Sequence, residues 1–132
     1  MAANNGVMTG ILFFDGACGM CTRSRDLLLK INRTGELRTE ALQSARAAER
    51  LGIPPSRLLE SVRWLDSSGA VYSGAEAANA ALSSAVGTTL PLTLYRIPGI
   101  RFVEDAVYRW VAAHRYRFPG TTPYCRSHPA AC

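Results

Sequence analysis

The chain has 132 residues, of which 48% are hydrophobic and 19% charged, a balance typical of one globular domain. No apolar run approaches the roughly 20 residues that a membrane-spanning helix needs, so we expect no integral membrane segment. Most of the net charge of +5 lies in residues 96–132, where six arginines outnumber two acidic residues. These arginines form no dense run and accompany no recognised motif, which argues against nucleic-acid binding.

The start of the chain lacks the basic region and the long apolar run of a secretory signal, so we expect a cytoplasmic protein. The chain has four cysteines. In a reducing compartment, paired cysteines are more often catalytic, redox-sensing or metal-binding than structural. Because no repeat or long linker divides the sequence, we expect a single domain over residues 1–132, with a core at about 10–87 and a helical extension and tail at about 88–132.

The first half of the core alternates between strands and helices. Its pattern predicts a strand, a helix, a weaker strand and a second helix over Gly10–Phe14, Gly19–Ile31, Leu37–Leu42 and Ser44–Leu51. The first of these strands is a continuous apolar run that ends at Asp15 and Gly16, which is typical of a buried strand followed by a turn.

Next come two strands joined by a hairpin turn, over Ser61–Asp66 and Ala70–Ser73. They are followed by a helix over Ala75–Val86, a short helix over Leu90–Arg96 and a long amphipathic segment over Ile100–Arg117. A strand-helix-strand unit pairs its strands in parallel, and a hairpin adds antiparallel strands. The order therefore predicts an α/β fold with a four-stranded mixed sheet flanked by helices. An additional C-terminal helical segment completes it.

The long amphipathic segment carries its apolar residues on one face, and we expect this face to pack on the core. They are Val103, Val107, Trp110 and Val111, with Phe102, Ala106 and Ala113 at the margins. Near its end, Tyr108, Arg115 and Tyr116 are expected to have a structural role, with Arg115 pairing inward. The alternative is that they line a groove beside the chemically active residues described next.

Cys18 and Cys21 form a Cys-x-x-Cys pair at the junction of the first strand and the first helix. At a helix start, unpaired N–H groups and the helix dipole stabilise a thiolate, the reactive form of cysteine. We expect an exposed Cys18 to attack a substrate disulfide and a less exposed Cys21 to resolve the mixed disulfide. Zinc sites use the same spacing, but its place between an apolar strand and a helix favours redox chemistry.

Asp15 and Gly16 are the expected supporting residues. Asp15 lies three residues before Cys18, where its carboxylate would either cap the helix turn, which we favour, or move protons for the second thiol. Gly16 is expected to allow the tight turn that brings the backbone round.

The Asp-Gly-x-Cys-x-x-Cys motif of residues 15–21 resembles the DCC family of thiol-disulfide oxidoreductases, named for an Asp-Cys-Cys pattern near the N-terminus. Later parts of the chain are also similar to that family, namely Ile97–Ile100, Asp105–Tyr108, His114–Arg117 and Cys125. The resemblance implies a thioredoxin-like fold and a dithiol redox role for Cys18 and Cys21. Thioredoxins bury an acidic residue where this chain has Leu12, so any assisted proton transfer at Cys21 needs another group.

The tail adds Cys125, His128 and Cys132, for which three interpretations stay open. In the first, which we favour, Cys125 packs as a small apolar residue and Cys132 lies idle at the chain end. In the second, one of the two exchanges with the dithiol in a redox relay. In the third, the tail side chains converge with Cys18 and Cys21 on zinc, and the domain is a metal-binding or structural docking module.

The main hypothesis is a monomeric thiol-disulfide oxidoreductase that needs no bound cofactor. Its expected partners are a protein or low-molecular-weight disulfide as substrate, and an unidentified reductant that recycles the dithiol. The metal-binding or docking module is the alternative function.

Overall fold

The computed structural model describes residues 9–117 and 120–132. Its sheet has four strands: β1 (Gly10–Phe14), β2 (Leu37–Ala41), β3 (Arg63–Asp66) and β4 (Val71–Ser73). Their order is β2-β1-β3-β4, with β1 and β2 parallel and the other two pairs antiparallel. The predicted mixed sheet is confirmed.

The described part of the chain contains six α-helices: α1 (Gly19–Lys30), α2 (Ala47–Leu51), α3 (Gly74–Val86), α4 (Leu90–Tyr95), α5 (Pro98–Ala113) and α6 (Tyr124–Ser127). Short 3₁₀ helices lie at Pro55–Glu60, Arg115–Arg117 and Pro129–Ala131. The second helix begins at Ala47 rather than at Ser44, because the Ser44 N–H closes a turn on the carbonyl of Ala41 at 3.0 Å. None of these helices has the length and hydropathy that a membrane-spanning segment requires.

β1 is buried on both faces of the sheet. Its successive side chains alternate, so that Leu12 packs with Trp64 and the alanines of α3, while Phe13 packs with Leu42 and Leu51 on the other side. Burial of each such large side chain stabilises the fold by about 1.5–3 kcal/mol. Pairing with β2 on one edge and β3 on the other holds β1 in place, and with it the turn that follows.

The apolar face of α5 does not pack on the core, and this prediction was wrong. Val103, Val107 and Trp110 are 59%, 56% and 58% exposed. The residues at the margins of the face are exposed as well, namely Phe102, Ala106 and Ala113. Of the central four, Val111 alone turns inward, where it borders a cavity described below.

Polar contacts hold the inward face of α5 instead. Glu104 accepts a hydrogen bond from the side-chain amide of Asn79 at 2.8 Å, and Asp105 accepts one from the Tyr95 hydroxyl at 2.6 Å. Burial and then this hydrogen bond raise the pKa of Tyr95 to about 12. Hydrogen bonds to carboxylates are roughly twice as strong as neutral ones. The apolar pattern of the sequence does not predict these hydrogen bonds, because Glu and Asp are typical of exposed helix faces.

Candidate active site

The dithiol lies where β1 ends and α1 begins. The Cys18 N–H closes a turn on the carbonyl of Asp15 at 3.2 Å, and Cys18 is the N-cap of α1. Its Sγ accepts a hydrogen bond from the backbone N–H of Cys21 at 3.2 Å. A sulfur at this position lies at the positive end of the helix dipole, among N–H groups that have no partner within the helix. The fold therefore brings both motif cysteines together at the helix start.

The exposures of the two sulfurs are the reverse of those expected. Both are free thiols, but Cys18 is fully buried, at 0% exposure, whereas Cys21 is only partly buried. A strand-helix junction on its own would leave the first sulfur open to solvent. The far end of the chain packs against the residues on either side of Cys18.

Residues 120–132, which we call the tail, cover the start of α1. The Cys125 N–H donates to the carbonyl of Gly16 at 2.9 Å, and the Tyr124 N–H donates to the Thr22 hydroxyl at 3.1 Å. The Tyr124 ring packs edge-on against Phe14, with 5.2 Å between ring centroids. Backbone and ring contacts together seat the tail on the turn that carries the dithiol.

The tail is closed on itself by a disulfide between Cys125 and Cys132. The favoured interpretation, with a packed Cys125 thiol and an idle Cys132, was therefore wrong. The structure does not bring together the zinc ligands of the third interpretation either. Within the described ranges, no three His, Cys, Asp or Glu side chains are grouped to hold a metal ion. His128 instead stacks on the Tyr124 ring at 4.3 Å between centroids.

Glycines on both sides of the contact allow the tail to approach this closely. A β-carbon on Gly16 would collide with Sγ of Cys125, and one on Gly120 would collide with the backbone of Gly19 and Met20. Gly16 is not among the glycines with positive φ. It is required for the close approach of the tail, rather than for the conformational freedom of a tight turn as predicted.

Replacing Gly120 with alanine should lift the tail from α1. We expect alkylation of native Cys18 by iodoacetamide to accelerate on the order of tenfold, because a local opening then suffices to expose it. The rate is measured by mass spectrometry of the Cys18 peptide. Gly99→Ala is the matched control, since a β-carbon there meets nothing within 4 Å. An unchanged rate in Gly120→Ala would show that the tail does not control access to Cys18.

Asp15 does not cap α1, because Cys18 occupies that role, and the capping prediction was wrong. Its carboxylate is 1% exposed and pairs with the half-buried Arg115. Among the described residues it has four partners: the Ala17 N–H at 2.9 Å, Gln43 Nε2 at 2.7 Å, the Tyr116 hydroxyl at 2.5 Å and Arg115 Nη2 at 3.3 Å. Asp15 thus ties the end of β1 to the segment that follows α5.

Gln43 was missed in the sequence analysis. Its side-chain amide donates to Asp15 at 2.7 Å, and its oxygen accepts the Gly16 N–H at 2.9 Å. Its place in the sequence could have indicated this role, because Gln43 follows β2 and the carboxyl ends of parallel strands lie side by side. A polar residue there should reach the turn after β1.

Tyr108, Arg115 and Tyr116 have the structural role that was expected, and Tyr108 and Arg115 also line a cavity beside Cys21, as the alternative had it. Tyr108 accepts the Val62 N–H at 3.0 Å through its hydroxyl, and Arg115 donates to the carbonyl of Leu59 at 3.0 Å. Burial, followed by the hydrogen bond to Asp15, raises the pKa of Tyr116 to about 12. These contacts hold the positive charge of Arg115 near the dithiol, a placement that the sequence alone did not establish.

The surroundings of Cys21 favour its protonated form. Burial raises the pKa of Cys21 well above its ordinary value of 9.0, and the hydrogen bond and charge at Cys18 raise it further. The positive charge of Arg115 acts in the opposite direction and lowers it. The site thus pairs a buried sulfur at the helix start with a protonated thiol beside it.

The raised pKa of Cys21 has a measurable consequence in the Cys18→Ser variant. At pH 9.0, an ordinary cysteine thiol is half ionised, whereas Cys21 should remain mostly protonated, because burial is the largest cause and survives the substitution. Ultraviolet thiolate absorbance, followed as the pH rises, should show a midpoint above 9.0. The same variant unfolded in denaturant is the control and should titrate normally. A midpoint at or below 9.0 in the folded protein would contradict the assignment.

Cys21 borders a mainly apolar cavity of about 260 Å³. Its walls include Leu28 of α1 and Val111 of α5, with Arg115 at a polar side. Pockets for drug-sized ligands usually measure about 300–1,000 Å³. The cavity offers room beside Cys21 for one substrate side chain or a small reagent.

The mixed sheet flanked by helices, with a Cys-x-x-Cys pair at the start of α1, defines a thioredoxin-like dithiol protein. The family model of the DCC1-like thiol-disulfide oxidoreductases matches residues 12–121, and the chain belongs to this family. The resemblance seen in the sequence is confirmed. No curated protein and no solved structure matched significantly. The family match ends before Cys125 and Cys132, so the tail disulfide lies outside it.

Proposed function

We propose that this protein is an enzyme that exchanges its Cys18–Cys21 dithiol with substrate disulfides. The observation that carries the proposal is the geometry at the start of α1, where the Cys18 sulfur accepts the Cys21 N–H. A thiolate is favoured at such a helix start, and the thiolate is the nucleophile in exchange. Membership of an oxidoreductase family supports the same chemistry.

The reaction proceeds in two exchange steps. The Cys18 thiolate attacks one sulfur of the substrate disulfide, forms a mixed disulfide and releases the other sulfur as a thiolate. Cys21 then gives up its proton to that thiolate and attacks Sγ of Cys18. The Cys18–Cys21 disulfide forms and the second substrate sulfur leaves. The substrate gains two electrons, which the dithiol loses, and a separate thiol reductant restores the dithiol.

Asp15 and Arg115 act as positioning residues in this scheme. Arg115 lowers the pKa of Cys21 and so assists the loss of its proton in the second step. The Asp15 carboxylate, 3.3 Å from Arg115 Nη2, holds that charge in place. Because Cys18 is fully buried, direct attack on an external disulfide also requires the tail to move.

Trapping the mixed disulfide tests the proposal. In a background of Cys125→Ser and Cys132→Ser, only the motif pair can react with glutathione disulfide. We expect a Cys18–Cys21 disulfide when Cys21 is present and a glutathione adduct retained on Cys18 in the added Cys21→Ser variant. Non-reducing digestion and mass spectrometry identify both products. Absence of any adduct on Cys18 would refute its role as the nucleophile.

Three expectations from the sequence belong to the same proposal: a cytoplasmic location, a monomeric state, and a protein or small-molecule disulfide as substrate. Residues 1–8, on which the absence of a secretory signal rests, lie outside the described residues. Cell fractionation and analytical ultracentrifugation of the purified protein would test the first two.

A further inference from the structure

The buried nucleophile and the tail disulfide lie at the same turn. The Cys125 N–H donates to the carbonyl of Gly16 at 2.9 Å, and Sγ of Cys125 lies against Gly16, where a β-carbon would collide with it. Gly16 is two residues before Cys18, so their α-carbons are separated by about 7 Å at most. The turn between them is closed by the hydrogen bond from the Cys18 N–H to Asp15. A disulfide of the same chain is therefore held at the turn that leads into Cys18.

The tail disulfide has one shielded end and one open end. Cys125 is half-buried against the turn, whereas Cys132 is exposed after the 3₁₀ helix Pro129–Ala131. Tyr124 seats the shielded end through its hydrogen bond to Thr22. If a thiolate attacked Cys125, the sulfur of Cys132 would leave into water, where a thiolate is well solvated. The arrangement favours attack of the thiolate on Sγ of Cys125, with Sγ of Cys132 as the leaving group.

We propose that Cys125–Cys132 is a second redox couple, which exchanges electrons with the Cys18–Cys21 dithiol and connects it to the surface. This inference rests on the proposed function of the dithiol. The Cys18 thiolate attacks Sγ of Cys125, the Cys125–Cys132 bond breaks, and Cys132 leaves as a thiolate. Cys21 then passes its proton to that thiolate and attacks Cys18, which releases Cys125. One electron pair moves from the buried dithiol to the tail, leaving a Cys18–Cys21 disulfide and a tail dithiol.

This second couple gives a fully buried nucleophile a reaction partner within its own chain. The exposed tail dithiol then reduces an external disulfide, and the tail disulfide forms again. Cys132 is exposed at the surface and is not enclosed in the small cavity beside Cys21. The tail couple therefore accepts disulfides of folded proteins as well as small ones. The matched family range ends at residue 121, before both tail cysteines.

Two double variants test the transfer step. Cys21→Ser with Cys132→Ser leaves only Cys18 and Cys125, and Cys21→Ser with Cys125→Ser leaves only Cys18 and Cys132. After oxidation of the reduced proteins with limiting diamide, we expect a Cys18–Cys125 disulfide in the first variant and markedly less crosslink in the second. Non-reducing digestion and mass spectrometry quantify both. Equal crosslinking would overturn Cys125 as the attacked sulfur, and no crosslink in the first variant would overturn the proposal.

Turnover separates this proposal from the function on which it rests. The Cys125→Ser, Cys132→Ser protein should lose most of the wild-type rate of insulin reduction, yet still form the Cys18–Cys21 disulfide in glutathione buffers. A rate equal to or above wild type would show that the tail is only a cover, and the second couple would be refuted while the dithiol function stands. If Cys18 forms neither the crosslink nor a glutathione adduct, the dithiol function itself fails.

Discussion

In the Cys125→Ser, Cys132→Ser background, replacing Cys18 with serine should reduce thiol-disulfide exchange to the rate of the uncatalysed reaction. The Cys18 sulfur is the N-cap of α1 and accepts the Cys21 N–H, and a serine hydroxyl at this position cannot form a disulfide. Cys21 cannot take over, because burial raises its pKa and keeps it protonated. The measurement is the rate of insulin reduction with dithiothreitol as the recycling reductant.

Cys21→Ser is the informative comparison for this loss. It retains the nucleophile, so one round of attack on a disulfide should still occur, whereas repeated turnover should stop at the mixed disulfide. Unfolding curves of both variants show whether the fold is kept. If Cys18→Ser kept most of the rate of that background, a different group would carry the chemistry and the assignment of the site would be wrong.

Replacing Asp15 with alanine should destabilise the fold by about 3–5 kcal/mol, the usual cost of removing one partner from a buried ion pair. The Asp15 side chain is 1% exposed and that of Arg115 14%, so the substitution leaves a guanidinium charge unpaired away from water. The Gln43 amide and the Tyr116 hydroxyl lose their acceptor at the same time. Equilibrium unfolding in urea, under reducing conditions, gives the free energy of unfolding.

Glu49→Ala is the matched control for this prediction. Glu49 pairs with Arg46 at 2.9 Å, but its side chain is 67% exposed, and such surface pairs contribute about 0–1 kcal/mol. We expect the control to unfold close to wild type. A loss of less than about 1 kcal/mol in Asp15→Ala, within the range of surface pairs, would contradict the view that the Asp15 network holds the closing segment to the dithiol turn.

The sheet and the dithiol were predictable from the sequence because their signals are local. An apolar run that ends at Asp15 and Gly16, followed by helical spacing, is enough to place Cys18 at a helix start. The parallel pair followed from the alternation of strands and helices, and the antiparallel strands followed from a recognisable hairpin turn. Each of these signals lies within a few residues of the element that it predicts.

The cover on the dithiol was not predictable in the same way. Tyr124 contacts Thr22 across 102 positions of sequence, and neither residue belongs to a periodic apolar pattern that would predict the contact. The Asp15 network also draws on separate parts of the chain, since Gln43 follows β2 and Arg115 follows α5. Long-range polar contacts of this kind depend on tertiary packing, which local propensity does not encode.

The same reasoning explains why the sequence predicted the wrong face of α5 to pack on the core. Val103 and Val107 mark an apolar face, and a helix usually turns such a face inward. Here the neighbouring helices present Asn79 and Tyr95, which hydrogen-bond to Glu104 and Asp105. The pattern of α5 alone contained no information about the polar groups on its partners.

Redox equilibration of the wild-type protein in a series of glutathione buffers tests the central claim most directly. After quenching, the remaining thiols are alkylated and each cysteine is located by peptide mass. We expect Cys18 and Cys21 to oxidise together in one reversible two-electron transition, with a disulfide between them. If the motif pair stays reduced while Cys125 and Cys132 alone titrate, or if Cys18 and Cys21 oxidise independently, the dithiol assignment is contradicted.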